Sequence, residues 1–246
     1  MTSETLHTIA RWLGQQRIDL AECGSTNDEA ARLARAGAKH GTIVIADHQT
    51  AGRGRDGHAW VSPPGGLYLS AVLRPPLPLH DVPAMTLAIG IGVCDAARVH
   101  GAPAVLKWPN DVLVRGKKLA GVLVEAQSQG GKLESVIVGI GVNLIAAPEH
   151  AAALDVERET FVKTLLGSVE RWVDRYIATG VEAIIPSWTE RMAPGLAARA
   201  TRPEDGAPLE GTMEGIDTDG ALLLRDDSGR VHRVRSGDVE VLRPSC

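Results

Sequence analysis

Aromatic side chains are nearly absent: five Trp, two Tyr and one Phe make up 3% of the 246 residues. A composition that is 44% hydrophobic and 23% charged permits a sizeable core, which Leu, Ile, Val and Ala must fill. Cysteine is scarce too. Cys23, Cys94 and Cys246 are odd in number, far apart and form no CxxC, which excludes a disulfide framework or a zinc knuckle. The eight histidines are scattered and form no HExxH. A basic-then-apolar leader and an apolar run of bilayer length are both missing, so a reducing cytoplasm is the expected location and no membrane partner is expected. There is no excess of positive charge. At a formal −4, a surface given over to nucleic acid is excluded, although a local basic patch is not. No GxxxxGK[ST] occurs, which excludes a P-loop. Gly90-Ile-Gly92 and Gly139-Ile-Gly141 lack the third glycine of a dinucleotide fingerprint, and no helix follows the second.

The chain length fits one large domain, or one domain with a small appendage. Helical spacing predicts a first helix over Glu4–Leu13 and an Ala-rich helix over Asp28–Ala36, capped by Thr26 or Asn27. Ala84–His100 reads as a largely buried helix despite its glycines. Strand patterns occupy Ile18–Leu20, Thr42–Asp47, Leu67–Leu73, Val105–Trp108, Val112–Val114, Leu119–Ala126 and Leu133–Leu144. From Glu157 to Met192 the pattern turns helical, with Phe161, Leu165, Val169 and Trp172 near one face. After about Gly195 come short strands (Leu209–Ile216, Ala221–Arg225, Val231–Arg235, Val239–Leu242) split by Asp-Thr-Asp-Gly and Asp-Asp-Ser-Gly. That is the signature of a small β-barrel of roughly fifty residues.

Five polar clusters interrupt or end the apolar strands: Ser25-Thr26-Asn27; Gln49 with AGRGRDGHAW at 51–60; KWPND at 107–111; GKKLAG at 116–121; and GIGVN at 139–143. The glycine–arginine stretch is a loop by composition, open to three readings: a solvated basic loop, a nucleic-acid patch, or a lid that orders over an anion. Repeated RGG units and interleaved aromatics, which RNA binding usually brings, are not there. In KWPND, Pro109 forces Trp108 extended and places Asn110 and Asp111 at a turn. The simple reading is an Asx-turn; the sharper one has Lys107 meeting a phosphate while Asp111 holds a divalent cation or a phosphate-binding lysine. Lys118 is either a solvated turn lysine or, with Asp111, one half of a charge pair suited to a pentavalent phosphorus centre. Gly121 would let a ligand approach the backbone. Small residues at Gly139 and Gly141 would open a flat slot for a ring, with Asn143 as a polar anchor.

In this order and spacing the clusters resemble the biotin–protein ligases, whose pattern is Ser-Thr-Asn, GRGRxGRxW, KWPND, K-L-x-G-(I/V)-L-x-E and G-x-G-(I/V)-N. Here these are Ser25–Asn27, Gly52–Trp60, Lys107–Asp111, Lys118–Glu125 and Gly139–Asn143, a resemblance spanning roughly residues 20–145. It implies an α+β fold: a class II aminoacyl-tRNA synthetase/biotin synthetase-like catalytic domain at 1–195, a mixed sheet with flanking helices, then an SH3-like barrel at 196–246. It implies ATP-dependent activation of biotin to biotinyl-5′-AMP, then transfer to a lysine of a biotin carboxyl carrier domain. The roles it implies are Lys118, Arg55 and Asp111 in catalysis. Ser25, Thr26, Asn27, Gln49, Gly52, Arg53, Gly54, Arg55, Lys118 and Gly121 would bind biotin; Arg53, Arg55, Trp60, Lys107, Asn110, Lys118 and Asn143 would bind the nucleotide. Mg²⁺ would arrive with ATP near Asp111, with no tightly bound metal. Either a monomer or a homodimer is compatible.

Two departures stand out. His58 replaces the last arginine of GRGRxGR, the basic position after the third glycine, with Asp56 just before that glycine, and supplies less charge than Arg. Ser-Thr-Asn begins at residue 25, which leaves no room for the N-terminal helix-turn-helix that makes some relatives repressors; no DNA binding is expected. The rival readings are a lipoate–protein ligase and a non-catalytic RNA- or anion-binding module.

Overall fold

The structure is a computed structural model that describes residues 9–193, 195–201, 206–235 and 239–241. Its main sheet has seven strands: β1 (Arg17–Cys23), β2 (Thr42–Gln49), β3 (Leu67–Leu73), β4 (Ala104–Lys107), β5 (Asp111–Val114), β6 (Lys117–Gln129) and β7 (Lys132–Val142), in the order β1-β2-β3-β7-β6-β5-β4. The β1–β2 pair is parallel and every other neighbouring pair is antiparallel.

Side-chain alternation decides what each face carries. Leu67, Leu69, Ala71 and Leu73 of β3 share a core with Val136, Val138, Ile140 and Val142 of β7, and with Ala120 and Val122 of β6. Helices α2 (Met85–Val99) and α3 (Arg158–Thr179) cover this face; a short α4 (Ile185–Arg191) follows. The opposite face is covered over only part of its length by α1 (Thr26–Arg35), through Ala30 and Ala34 against Val44, Val72 and Ile137. Beyond the start of α1 the same face carries Tyr68, Ser70, Gly139, Gly141, Gly121 and Leu123. That strip of bare backbone and small polar groups is where a site can form.

The stretch Leu79–Val99 is apolar and long enough to match a bilayer span, contrary to the sequence reading, but 72% of its most apolar window is buried inside the molecule. It is a core helix. Gly92 permits this: an added Cβ there would lie 2.8 Å from Val169 Cα, so α2 and α3 meet backbone to backbone.

The second sheet is antiparallel: β8 (Ala197–Thr201), β9 (Pro208–Ile216), β10 (Leu222–Arg225), β11 (Val231–Val234) and β12 (Val239–Val241), in the order β11-β10-β9-β8-β12. The Gly220 carbonyl accepts from the Trp108 indole at 3.1 Å, and Met213, Leu222 and Leu224 belong to the main core. The sequence reading missed β8, whose AARAT pattern buries only alanines.

The first predicted helix is not borne out where it can be seen. Residues 4–8 and the ends of the chain, Leu242 and Cys246 included, lie outside the described residues. Ile9–Leu13 is irregular because its amides go elsewhere: the buried Glu170 carboxylate accepts from the main-chain N–H groups of Arg11, Trp12 and Leu13 at 2.8–2.9 Å. Burial would push the Glu170 pKa up, but these amides outweigh it and the value falls. At α1 the N-cap is Ser25, not Thr26 or Asn27, and its side chain makes no capping bond. Thr26 and Asn27 point into the pocket instead.

Candidate active site

The strand register assembles the site in rows across the sheet. Tyr68, Gly141, Gly121 and Asp111 are successive partners from β3 through β7 and β6 to β5, and Ser70, Gly139 and Leu123 form the next row. Above them lies a cavity of about 150 Å³ lined by Ser25, Thr26, Asn27, Gln49, Lys107 and Lys118, together with the 53–60 loop. Asn110, Asp111, Gly121 and Val239 also line it.

One end is neutral and tightly hydrogen-bonded. Gln49 Oε1 accepts from Thr26 N at 2.8 Å and from Thr26 Oγ1 at 3.0 Å. Its amide donates to Ser62 Oγ at 3.0 Å, and that hydroxyl donates to the Trp60 carbonyl at 3.3 Å. Ser70 Oγ lies 2.6 Å from Asn27 Oδ1 and 2.8 Å from Thr26 Oγ1. Ser25, Thr26, Asn27 and Ser70 are all buried. Buried polar groups arranged this way present donors and acceptors in fixed directions.

The other end is charged. Asp111 lies between two lysines: Lys118 Nζ is 2.7 Å from Oδ1 and Lys107 Nζ is 3.3 Å from Oδ2. The Lys118 contact is an ion pair without hydrogen-bond geometry, since Asp111 Oδ1 lacks a hydrogen-bond partner among the described residues. Asp111 is nearly covered while Lys118 stays about 40% exposed, so Lys118 is held yet open to a ligand. Asn110 donates to the Val122 carbonyl at 2.9 Å, and Val122 N donates back to the Asn110 carbonyl at 2.9 Å. The KWPND turn is thereby fastened to β6.

The glycine–arginine stretch is a small hairpin. Gly54 N donates to the His58 carbonyl, Trp60 N donates to the Gly52 carbonyl, and Arg53 bridges Ala59. Asp56 takes a left-handed φ of 51° at its tip. Its two arginines differ. Arg53 is bound by Asp28 and Glu125, and Asp28 first, then Glu125, raises its pKa. Arg55 makes a loose 3.6 Å pair with Asp56 and keeps Nη1 buried without a hydrogen-bond partner among the described residues. Trp60 lies on the glycine floor: Cβ atoms added at Gly141 and Gly121 would come within 2.4 Å and 3.0 Å of its ring. Lys118 Nζ sits 5.4 Å from a Trp60 ring centroid, within cation–π range.

The structure thus brings most of the expected residues together, with three differences. Asn143 does not line the cavity; it is buried behind β6, its amide donating to the Lys118 carbonyl at 3.3 Å. Gly52 also lies outside the lining, and its lack of a side chain serves packing, because a Cβ would stand 2.6 Å from the Trp60 carbonyl. The expected open ring slot is filled: Asn27 occupies the space over Gly139, and Trp60 that over Gly141. Ser62, Ser70, Tyr68 and Glu125 were missed. Ser70 had a signal, as the one small polar side chain in the apolar run Leu67–Leu73. Tyr68 donates to the Pro63 carbonyl at 2.5 Å, and burial pushes its pKa up to about 12, which keeps it a donor. Among the described residues no group of three or more His, Cys, Asp or Glu converges as a metal site.

Known proteins resemble the chain along nearly its whole length. A family model of biotin/lipoate A/B protein ligases matches residues 23–143, and one of the biotin protein ligase C-terminal domain matches 199–242. The bifunctional ligase/repressor BirA of Bacillus subtilis is 33% identical over 93% of this chain and 75% of its own length. The biotin–[acetyl-CoA-carboxylase] ligase of Paracoccus denitrificans is 36% identical over 86% of this chain and 95% of its own. Among solved structures, a biotin protein ligase from Aquifex aeolicus in complex with biotin and ATP aligns with a TM-score of 0.79 at 28% identity, covering 93% of this chain and 99% of that one. The chain belongs to the biotin–protein ligase family and is an ATP-dependent ligase that attaches biotin to a carrier protein.

Proposed function

We propose that this cavity makes biotinyl-5′-AMP and holds it until an acceptor lysine takes the biotin. In the first step a biotin carboxylate oxygen attacks the α-phosphorus of ATP, and pyrophosphate leaves. In the second, the acceptor amine attacks the carbonyl carbon of the mixed anhydride; AMP leaves and the amine gives up a proton. The observation that carries this reading is the polarity of the cavity. A neutral hydrogen-bonding end suits a fused bicyclic urea, and the same cavity has a cationic end where Lys118 and Lys107 flank Asp111, with Arg55 also in the lining.

Ser25, Thr26, Asn27 and Gln49 orient the ureido ring. Lys118 and Arg55 meet the carboxylate and the α-phosphate, where negative charge gathers in the transition state. Asp111 fixes Lys118, and Lys107, Asn110 and Trp60 serve the nucleotide. Gly121 lets the ligand approach the strand. Asp111 is the only carboxylate lining the cavity among the described residues. That donor set suits a Mg²⁺ carried on the nucleotide phosphates; when bound, the ion would neutralise phosphate charge. The division we favour is a catalytic unit at 1–195 and a barrel at 196–246, working in the cytoplasm on a biotin carboxyl carrier domain, as a monomer or a homodimer.

Isothermal titration with biotin, lipoate and octanoate tests the substrate class. Biotin alone should bind measurably; binding of lipoate without biotin would overturn the assignment.

A further inference from the structure

Glu125 stands outside the roles assigned above, yet it touches two of the site's motifs. It lies on β6, on the site face, opposite Ile137. Its Oε2 accepts from Asn27 Nδ2 at 2.6 Å, while Oε1 and Oε2 receive Arg53 Nη2 at 3.1 and 3.3 Å. Because a carboxylate only accepts, the Asn27 amide must turn its NH₂ toward Glu125 and its oxygen toward Ser70. The orientation of the Asn27 amide is therefore set by Glu125, with Ser70 on its oxygen.

The second contact has a different consequence. Arg53 is the residue through which the hairpin bridges to Ala59, so fixing it fixes the base whose tip carries Arg55 and whose return limb leads to Trp60. Asp28, from the first turn of α1, takes the other side of the same guanidinium. The cluster of one arginine and two carboxylates carries a formal −1, so Arg53 balances an acidic rim, and the cations left to face an anion are Arg55, Lys107 and Lys118.

We infer that Glu125 is a positioning residue that couples the ring-binding Asn27 to closure of the arginine hairpin, so that one carboxylate seats the ligand-recognition side chain and latches the lid over the adenylate. The inference rests on the adenylation reading above. A ligand that engages Asn27 stiffens the Glu125 carboxylate and with it the seat of Arg53; without Glu125 the two motifs move independently.

The test uses the full chain and compares Glu125→Gln, Arg53→Gln, the double variant and Glu125→Asp. Gln keeps an acceptor for Asn27 but removes the charge that holds Arg53. Two quantities are read: biotin-dependent ATP–pyrophosphate exchange, and escape of adenylate, measured as biotinylation of a lysine-rich bystander protein with no carrier domain. Glu125→Gln should keep exchange within roughly twofold and raise escape roughly three- to tenfold, the scale of one partly exposed charge-assisted contact. The double variant should leak no more than the worse single variant, because both sever one link, and Glu125→Asp should recover part of the retention. Unchanged escape in Glu125→Gln, or single effects that multiply, would overturn the inference. So would a uniform loss of exchange and thermal stability that Glu125→Asp fails to relieve, which would make Glu125 merely structural. A wild-type chain without biotin-dependent exchange would instead refute the adenylation reading.

Discussion

Gly139→Ala is a one-carbon change whose cost can be worked from the geometry. An added Cβ would stand 2.3 Å from Asn27 Oδ1, 3.0 Å from Cγ and 3.2 Å from Nδ2. Asn27 cannot yield by a small shift, because Ser70 holds its oxygen at 2.6 Å and Glu125 its nitrogen at 2.6 Å. It must rotate out and lose both bonds, one neutral and one charge-assisted. At about 1 kcal/mol for the first and about 1.5–3 kcal/mol for the second, the loss is about 2–4 kcal/mol. For a chain of this size, that lowers Tm by roughly 5–15 °C. Biotin affinity should fall as well, by roughly 10–100-fold, since the ring-recognition end loses Asn27. Gly24→Ala is the matched control: a Cβ there meets nothing within 4 Å. Circular dichroism melts and biotin titration of the two variants side by side read both quantities. If Gly139→Ala melts and binds biotin like Gly24→Ala, the packing of Asn27 on the glycine floor is refuted.

Two further perturbations test the fold. In α2, Gly92→Ala drives a Cβ to 2.8 Å from Val169 Cα and should destabilise by about 1–3 kcal/mol, whereas Gly90→Ala meets only Leu106 at 3.6 Å and should stabilise by about 0.5–1 kcal/mol; equal effects in thermal melts would refute the close α2–α3 crossing. Glu170→Ala should cost about 2–4 kcal/mol by leaving the amides of residues 11–13 without their acceptor. The Glu170 pKa is lowered on folding, so its contribution is complete above the ordinary value of 4.5 and fades as pH falls through the folded value. The Tm gap between wild type and Glu170→Gln should therefore be widest near neutrality and narrow only below about pH 4.5, and a gap that widens on acidification would contradict the assignment.

How much could be read beforehand depended on range. Leu67–Leu73 was delimited to the residue because its apolar run ends at glycines and prolines, and α2 was placed within one residue of its ends. Lys118 and Asp111 were legible as a pair because one short hairpin joins them, and the structure pairs them and adds Lys107 on the other Asp111 oxygen. Glu125 belongs to a strand motif, but its role is not legible from neighbouring residues, since its partners, Asn27 and Arg53, are 98 and 72 residues away. The same distance hid Glu170, whose claim on the amides of residues 11–13 turns a helical pattern into an irregular segment. The flat slot over Gly139 and Gly141 was a sound inference about missing side chains, but Asn27 and Trp60, which fill that space, come from elsewhere in the chain.

The account stands on Lys118 acting at the phosphorus centre, held by Asp111 and open to the ligand. Biotin-dependent ATP–pyrophosphate exchange, compared between wild type and Lys118→Ala, addresses that claim most directly. The wild-type chain should exchange pyrophosphate only when biotin is present, and Lys118→Ala should fall by roughly 10²–10³-fold while melting within a few degrees of wild type. Exchange at the wild-type rate in the variant would contradict the account.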